Sequence, residues 1–275
     1  MKSRLRFKDK YKPALVLRVC ISVASPGDCI ECDPFNPAVI PHTIILLILA
    51  PIVIITTILL VIKAIQRKKL ATYSLLLSFA LFLCVILIPL YANIESFILQ
   101  YRPLWTRWTN PAVYFFLALS VFFFFIFCTD VFLENISKVT FVIYLIWGLA
   151  AAIIVALPQN NWGIAGADAT FRLISQIHLL VYMLVTFIIT CIKAFYFASR
   201  SKESLQKKSV RLIGYGSVLV ISSLCCTVVD TLLNLLLGEA GAYNLFGTLT
   251  WVFATAGMFF FYLGFFPPAR NKNIA

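Results

Sequence analysis

Seven stretches of this chain, 41–62, 70–91, 111–133, 139–157, 173–198, 212–237 and 245–266, run for 19 to 26 residues with at most one Asp, Glu, Lys or Arg apiece. Each is long enough to cross ~30 Å of hydrocarbon as a helix. Inside a bilayer every backbone N–H and C=O must find its partner within the protein, which leaves helices or closed barrels, and blocks of this length mean helices. The connections between them are too short to fold alone. The sequence therefore predicts an all-α polytopic membrane protein, a single bundle of seven transmembrane helices. It divides into an N-terminal segment, 1–40, a membrane domain, 41–268, and a tail, 269–275.

The formal charge of +12 raises nucleic acid as a partner, but its distribution points to a membrane surface. Basic residues cluster at Lys63, Arg67, Lys68 and Lys69, at Lys138, at Arg200, Lys202, Lys207, Lys208 and Arg211, and at Arg270, with Lys193 and Lys272 beside them. The alternate connections hold only Arg102, Arg107 and Arg172. Cytoplasmic loops carry the Lys/Arg excess, so the expected orientation is N-terminus outside and C-terminus inside, in a cell membrane. Tyr101, Trp105, Trp108 and Trp162 then form the outer aromatic belt. No exposed basic domain exists to hold a nucleic acid, and the lipid bilayer is the partner that composition names.

The first 25 residues break this pattern. "MKSRLRFKDKYK" is basic yet falls on the outer side, and "ALVLRVCISVA" follows it. A basic segment, a short apolar segment and small residues near Ala24 describe a cleavable signal peptide over 1–24. Arg18 within the apolar part counts against it, and an over-long start or an amphipathic surface segment fits as well. Cys29 and Cys32, in "CIEC", are expected as a local disulfide or as free thiols. A metal centre needs more ligands than this segment and His42 supply.

Polar residues inside the spans carry the functional reading. At about 100° per residue, Gly216, Ser223, Thr227, Asp230 and Asn234 share one face of span 6. Asn244, Thr248, Trp251, Thr255 and Tyr262 share one face of span 7, and Ser175, His178, Tyr182 and Thr186 drift toward Thr190 on span 5. Lipid cannot satisfy these groups, so the three faces are expected to turn toward one another. Hydroxyls that bond their own i−4 carbonyl would account for much of the pattern without a ligand. Asp230 and His178 demand more, because a charged Asp at the bilayer centre costs roughly 3 kcal/mol. Both lie about 8–10 Å below the outer surface. A carboxylate–imidazole pair lining an outward pocket is expected, or else a structural clasp. Asp130, about 30 Å below the outer end of span 3, cannot reach Asp230, which excludes a shared-proton aspartate dyad.

No metalloprotease, nucleophile-elbow, Walker or dinucleotide signature occurs, so neither an enzyme nor a cofactor is predicted. Span 7 has no lysine for a retinal Schiff base, and the motifs of G-protein-coupled receptors are missing from spans 3 and 7. Prolines 51 and 89 interrupt or end spans 1 and 2 without counterparts in spans 5 and 6, which disfavours a repeat-built transporter.

"NPAVYFFLALSVFFFFIF", "LPQNNWG" and the closing "TLTWVFATAGMFFFYLGFFPP", with Tyr262, Leu263, Gly264, Phe265 and Pro267, resemble the seven-helix sensor region of prokaryotic histidine kinases and related signalling proteins. The resemblance covers most of residues 41–268. It implies a receptor-like protein, and the short tail implies that its signal passes to a separate protein partner. The expected ligand is a small molecule between helices 5–7, with Asp230, His178 and Asn234 as polar contacts and Tyr182, Trp251 and Thr255 as walls. An accessory subunit of a membrane complex and a small-solute transporter component are the alternatives.

Overall fold

The computed structural model describes residues 35, 37, 39–132, 136–160, 169–237 and 245–266. The signal-peptide reading of 1–24, the Cys29/Cys32 pair and the tail 269–275 fall outside them. Within the described residues there are seven helices long and apolar enough to cross a membrane, and no strand. They are α1 (Val39–Arg67), α2 (Leu70–Leu99), α3 (Thr109–Phe132), α4 (Lys138–Ala156), α5 (Ala169–Arg200), α6 (Ser204–Leu237) and α7 (Leu245–Phe265). Short 3-10 turns, Leu104–Trp108 and Pro158–Asn160, precede α3 and follow α4.

Most helices outrun the apolar blocks that announce them. α6 starts at Ser204, eight residues before the expected 212, and carries the basic run Lys207–Arg211 as helix. Hydrophobicity marks where hydrocarbon begins. The i→i−4 ladder continues into the headgroup layer while its residues favour helix. The basic connections therefore shrink, to Lys68 and Lys69 between α1 and α2 and to 201–203 between α5 and α6. Pro51 and Pro89 lie inside continuous helices rather than ending them, as membrane helices tolerate. α4 begins where Ser137 Oγ accepts the Thr140 N–H at 3.0 Å, an N-cap.

Short connections make sequence neighbours antiparallel, and each packs on the next, with α1 closing against α7. α3 also packs on α5 and holds the centre. Of "FFFF" at 122–125, Phe124 and Phe125 are buried. The Phe124 ring centroid lies 4.6 Å from Phe261 of α7, 5.1 Å from Phe187 of α5 and 5.6 Å from Phe127. α2 meets α3 through a polar contact absent from the sequence reading: Ser120 Oγ donates to the Ser78 carbonyl at 2.8 Å, both residues being buried.

The alternation gives the bundle two unlike ends. One, the basic end, holds Arg67, Lys68, Lys69, Lys138, Arg200, Lys202 and Arg211. Asp130 is exposed there, as a solvated turn requires. The opposite end holds Arg102, Arg172, His42, His178 and Asp230.

Candidate functional site

α5 turns its polar column toward α4 and α3, not toward α6 and α7 as expected. At the basic-end half, Thr190 Oγ1 donates to Thr186 O at 2.8 Å and touches Cys128 Sγ of α3 at 3.2 Å. One turn away the Tyr144 hydroxyl of α4 donates to Tyr182 O at 3.1 Å and bonds the Thr186 hydroxyl. Next comes Tyr182, fully buried, its ring 5.1 Å from Tyr144 and 5.5 Å from Trp147. Its own hydroxyl has no hydrogen-bond partner among the described residues and abuts Gly148, where a Cβ would collide with it. Then Trp147 donates its indole N–H to His178 Nε2 at 2.6 Å. An indole nitrogen only donates, so Nε2 is the acceptor of a neutral ring. Gly148 makes room on α4 for this turn: the space where its Cβ would stand is filled by the Tyr182 phenol of α5.

His178 and Asp230 thus take different neighbours. Asp230 lies on α6 against α7, where a Cβ on Gly247 would come within 3.0 Å of its Oδ1. Gly216, Ser223, Thr227 and Asp230 do share one face, as the sequence predicts, and that face meets α7. Ser223 Oγ donates to Thr250 O at 2.8 Å, Thr227 Oγ1 meets Thr250 Oγ1 at 3.3 Å, and a Cβ on Gly257 would lie 2.9 Å from Gly216 O. The answering face of α7 is Gly247, Thr250, Gly257 and Gly264, not Thr248, Trp251, Thr255 and Tyr262. Ser209, Gly216, Ser223 and Asp230 recur every seven residues, and so do Thr250, Gly257 and Gly264. A seven-residue repeat of small residues on antiparallel helices keeps one seam in register and the backbones close.

The remaining expected contacts scatter. Trp251 faces α1, its ring 5.9 Å from His42. Thr255 is buried with its hydroxyl unpartnered among the described residues. The Asn234 side chain lies outside them. The single shared niche between helices 5–7 is therefore divided into an α3–α4–α5 column and an α6–α7 seam.

At the end opposite the basic one, Tyr114 of α3, which the sequence reading passed over, comes near Arg172 of α5. Beside it is a cavity of ≈ 10 Å³ lined by Tyr114, Asn160, Arg172, Ser175 and Gln176 together with Pro111 and Val155. That volume holds about one water. Two of its polar residues, Asn160 and Ser175, are buried and already paired. Asn160 Nδ2 donates to Ile154 O at 2.5 Å, and Ser175 Oγ donates to Asn160 Oδ1 at 2.7 Å. Arg172 had registered in the sequence only as a loop charge, and Asn160 only as part of "LPQNNWG". Their meeting depends on the 3-10 turn after α4, which no periodicity announces. No group of His, Cys, Asp or Glu able to hold a metal occurs among the described residues.

Family models, curated proteins and solved structures offer no match to this chain.

Proposed function

We propose that this multi-pass membrane protein is a sensor of receptor type, taking a small polar solute at the end that carries Tyr114, Asn160, Arg172 and Asp230, which faces the outside of a cell membrane. The observation that carries this reading is the meeting there of Tyr114, Asn160 and Arg172, from three different elements, around one small cavity. Ionisable residues within membrane segments are functional by default, and a cation, Arg172, and an anion, Asp230, at the same end of the bundle suit a solute with both donors and acceptors. Asp230 remains a ligand contact, Arg172 and Asn160 join it, and His178, Tyr182, Trp251 and Thr255 support the surrounding packing.

Room for one water at rest means that a solute enters only as the tips of α3 and α5 separate. Ligand binding then selects a different packing of the bundle. The α5–α6 connection reports it at the basic end to a protein partner. The likeness of the closing Tyr262–Phe265 run to kinase sensor regions agrees with such a role.

The test is a thermal-shift screen of the protein in lipid nanodiscs against amino acids, organic acids and sugars. A solute at 100 times its Kd stabilises by about 2.7 kcal/mol. The expected result is a hit whose shift disappears in Arg172→Gln and weakens at least tenfold in apparent affinity in Asn160→Ala. If every hit shifts Arg172→Gln as much as the parent, the reading is wrong.

A further inference from the structure

The turn between α1 and α2 has a build that charge asymmetry alone does not ask for. Arg67, the last residue of α1, places its guanidinium over the Phe266 ring at 4.8 Å, with Phe265 at 5.8 Å. Lys68 follows at φ 49°, its N–H bonded to Ala64 O at 3.0 Å. That left-handed conformation normally belongs to Gly or Asn and strains a residue with a Cβ. Lys69 then caps α2 with no side-chain hydrogen bond to the first-turn N–H groups. In that same turn Thr72 is fully buried, and its hydroxyl is unpartnered among the described residues.

Three consecutive cations thus stand at an uncapped helix N-terminus, the place where backbone N–H groups and the helix dipole favour an anion. What lies beside them decides which anion. Ile62, Ile65, Leu70 and Tyr73 are all exposed, Ile65 at 64% and Leu70 at 63%, and they sit within one or two turns of the cations on the same two helices. An inorganic phosphate or an acidic protein segment has no use for that flank. An acyl chain does.

The geometry points to this turn as a binding site for an anionic phospholipid, its headgroup phosphate held by Lys68, Lys69 and the α2 N-terminus and its chain laid along Ile62, Ile65, Leu70 and Tyr73. This stands apart from the sensor reading, which concerns the other end of the bundle. Arg67, held on the Phe265 and Phe266 rings, ties the occupied turn to the end of α7.

The protein is reconstituted in phosphatidylcholine nanodiscs containing one-fifth phosphatidylglycerol, and retained lipid is read by native mass spectrometry after release into detergent. The parent is expected to keep phosphatidylglycerol at least fivefold above its share. Lys68→Gly with Lys69→Gln, in which glycine suits the left-handed backbone and preserves the fold, is expected to fall to within twofold of parity. Lys138→Gln, an exposed basic residue at the same end, is expected to match the parent. Retention at parity in the parent, or an equal loss in Lys138→Gln, overturns the site and leaves a diffuse surface charge. Full enrichment in the double variant, with its thermal midpoint unchanged, also overturns it. So does an acidic protein co-purifying at this turn with no lipid enrichment.

Discussion

His178 and Tyr182 sit one turn apart in the same column, and their polar atoms have opposite fates. The imidazole takes a hydrogen bond from Trp147, whereas the Tyr182 hydroxyl is buried with none among the described residues. Removing a partner from a buried donor costs the desolvation of what remains, about 1–3 kcal/mol, whereas removing an unpaired hydroxyl relieves a penalty. His178→Phe is therefore expected to destabilise by about 1–3 kcal/mol, because it strands the Trp147 N–H. Tyr182→Phe is expected to leave stability unchanged or raised by about 1 kcal/mol. Reversible unfolding in mixed micelles reads both. A destabilised Tyr182→Phe would mean that the hydroxyl has a partner, such as a bound water, that gives it a structural role. Neither fate was legible in the sequence. Periodicity placed both residues on one face of α5, but which helix that face meets depends on the room that Gly148 leaves on α4.

The α6–α7 seam shows what element-scale patterns do and do not reveal. The face of α6 was legible because Ser, Thr and Asp stand out against an apolar helix. The face of α7 was misread because hydroxyls and Trp251 drew attention away from Gly247, Gly257 and Gly264, whose contribution is the absence of a side chain. In lipid, where apolar surface is no more welcome between helices than outside them, close backbone approach supplies the association energy. A Cβ at Gly257 would stand 2.6 Å from Val220 Cγ2 and 2.9 Å from the Gly216 carbonyl. Backbone cannot yield there as a side chain can. Gly257→Val is accordingly expected to lose about 1–3 kcal/mol, the usual cost of overpacking. Ser222→Ala, whose hydroxyl only bonds its own Val218 carbonyl, should stay within about 0.5 kcal/mol of the parent. Equal effects in the two variants would show that the seam does not hold these helices together.

At the scale of the molecule, seven crossings were readable from block length alone, since each block exceeds what a bilayer needs and none holds enough charge to stay out of it. Helix ends were not, because α2 continues through "ANIESFIL" and α6 through "SLQKK" on helix propensity after hydrophobicity has stopped. The bundle itself has no preferred direction. What breaks the symmetry is charge: Lys and Arg crowd one set of turns, and turns of that kind are expected on the cytoplasmic side. That argument yields a test at two positions on opposite ends, Arg102 between α2 and α3 and Lys202 between α5 and α6. With a membrane-impermeant maleimide applied to intact cells, Arg102→Cys is expected to label above the parent, whose free cysteines among the described residues are Cys84, Cys128, Cys191, Cys225 and Cys226 and whose Cys29 and Cys32 set the background. Lys202→Cys is expected to label above the parent only after permeabilisation. Labelling of Lys202→Cys above the parent in intact cells would invert the molecule. The cavity at Tyr114 and Arg172 would then open to the cytoplasm and the lipid site to the outer leaflet, so an outside-sensing receptor would no longer fit this structure.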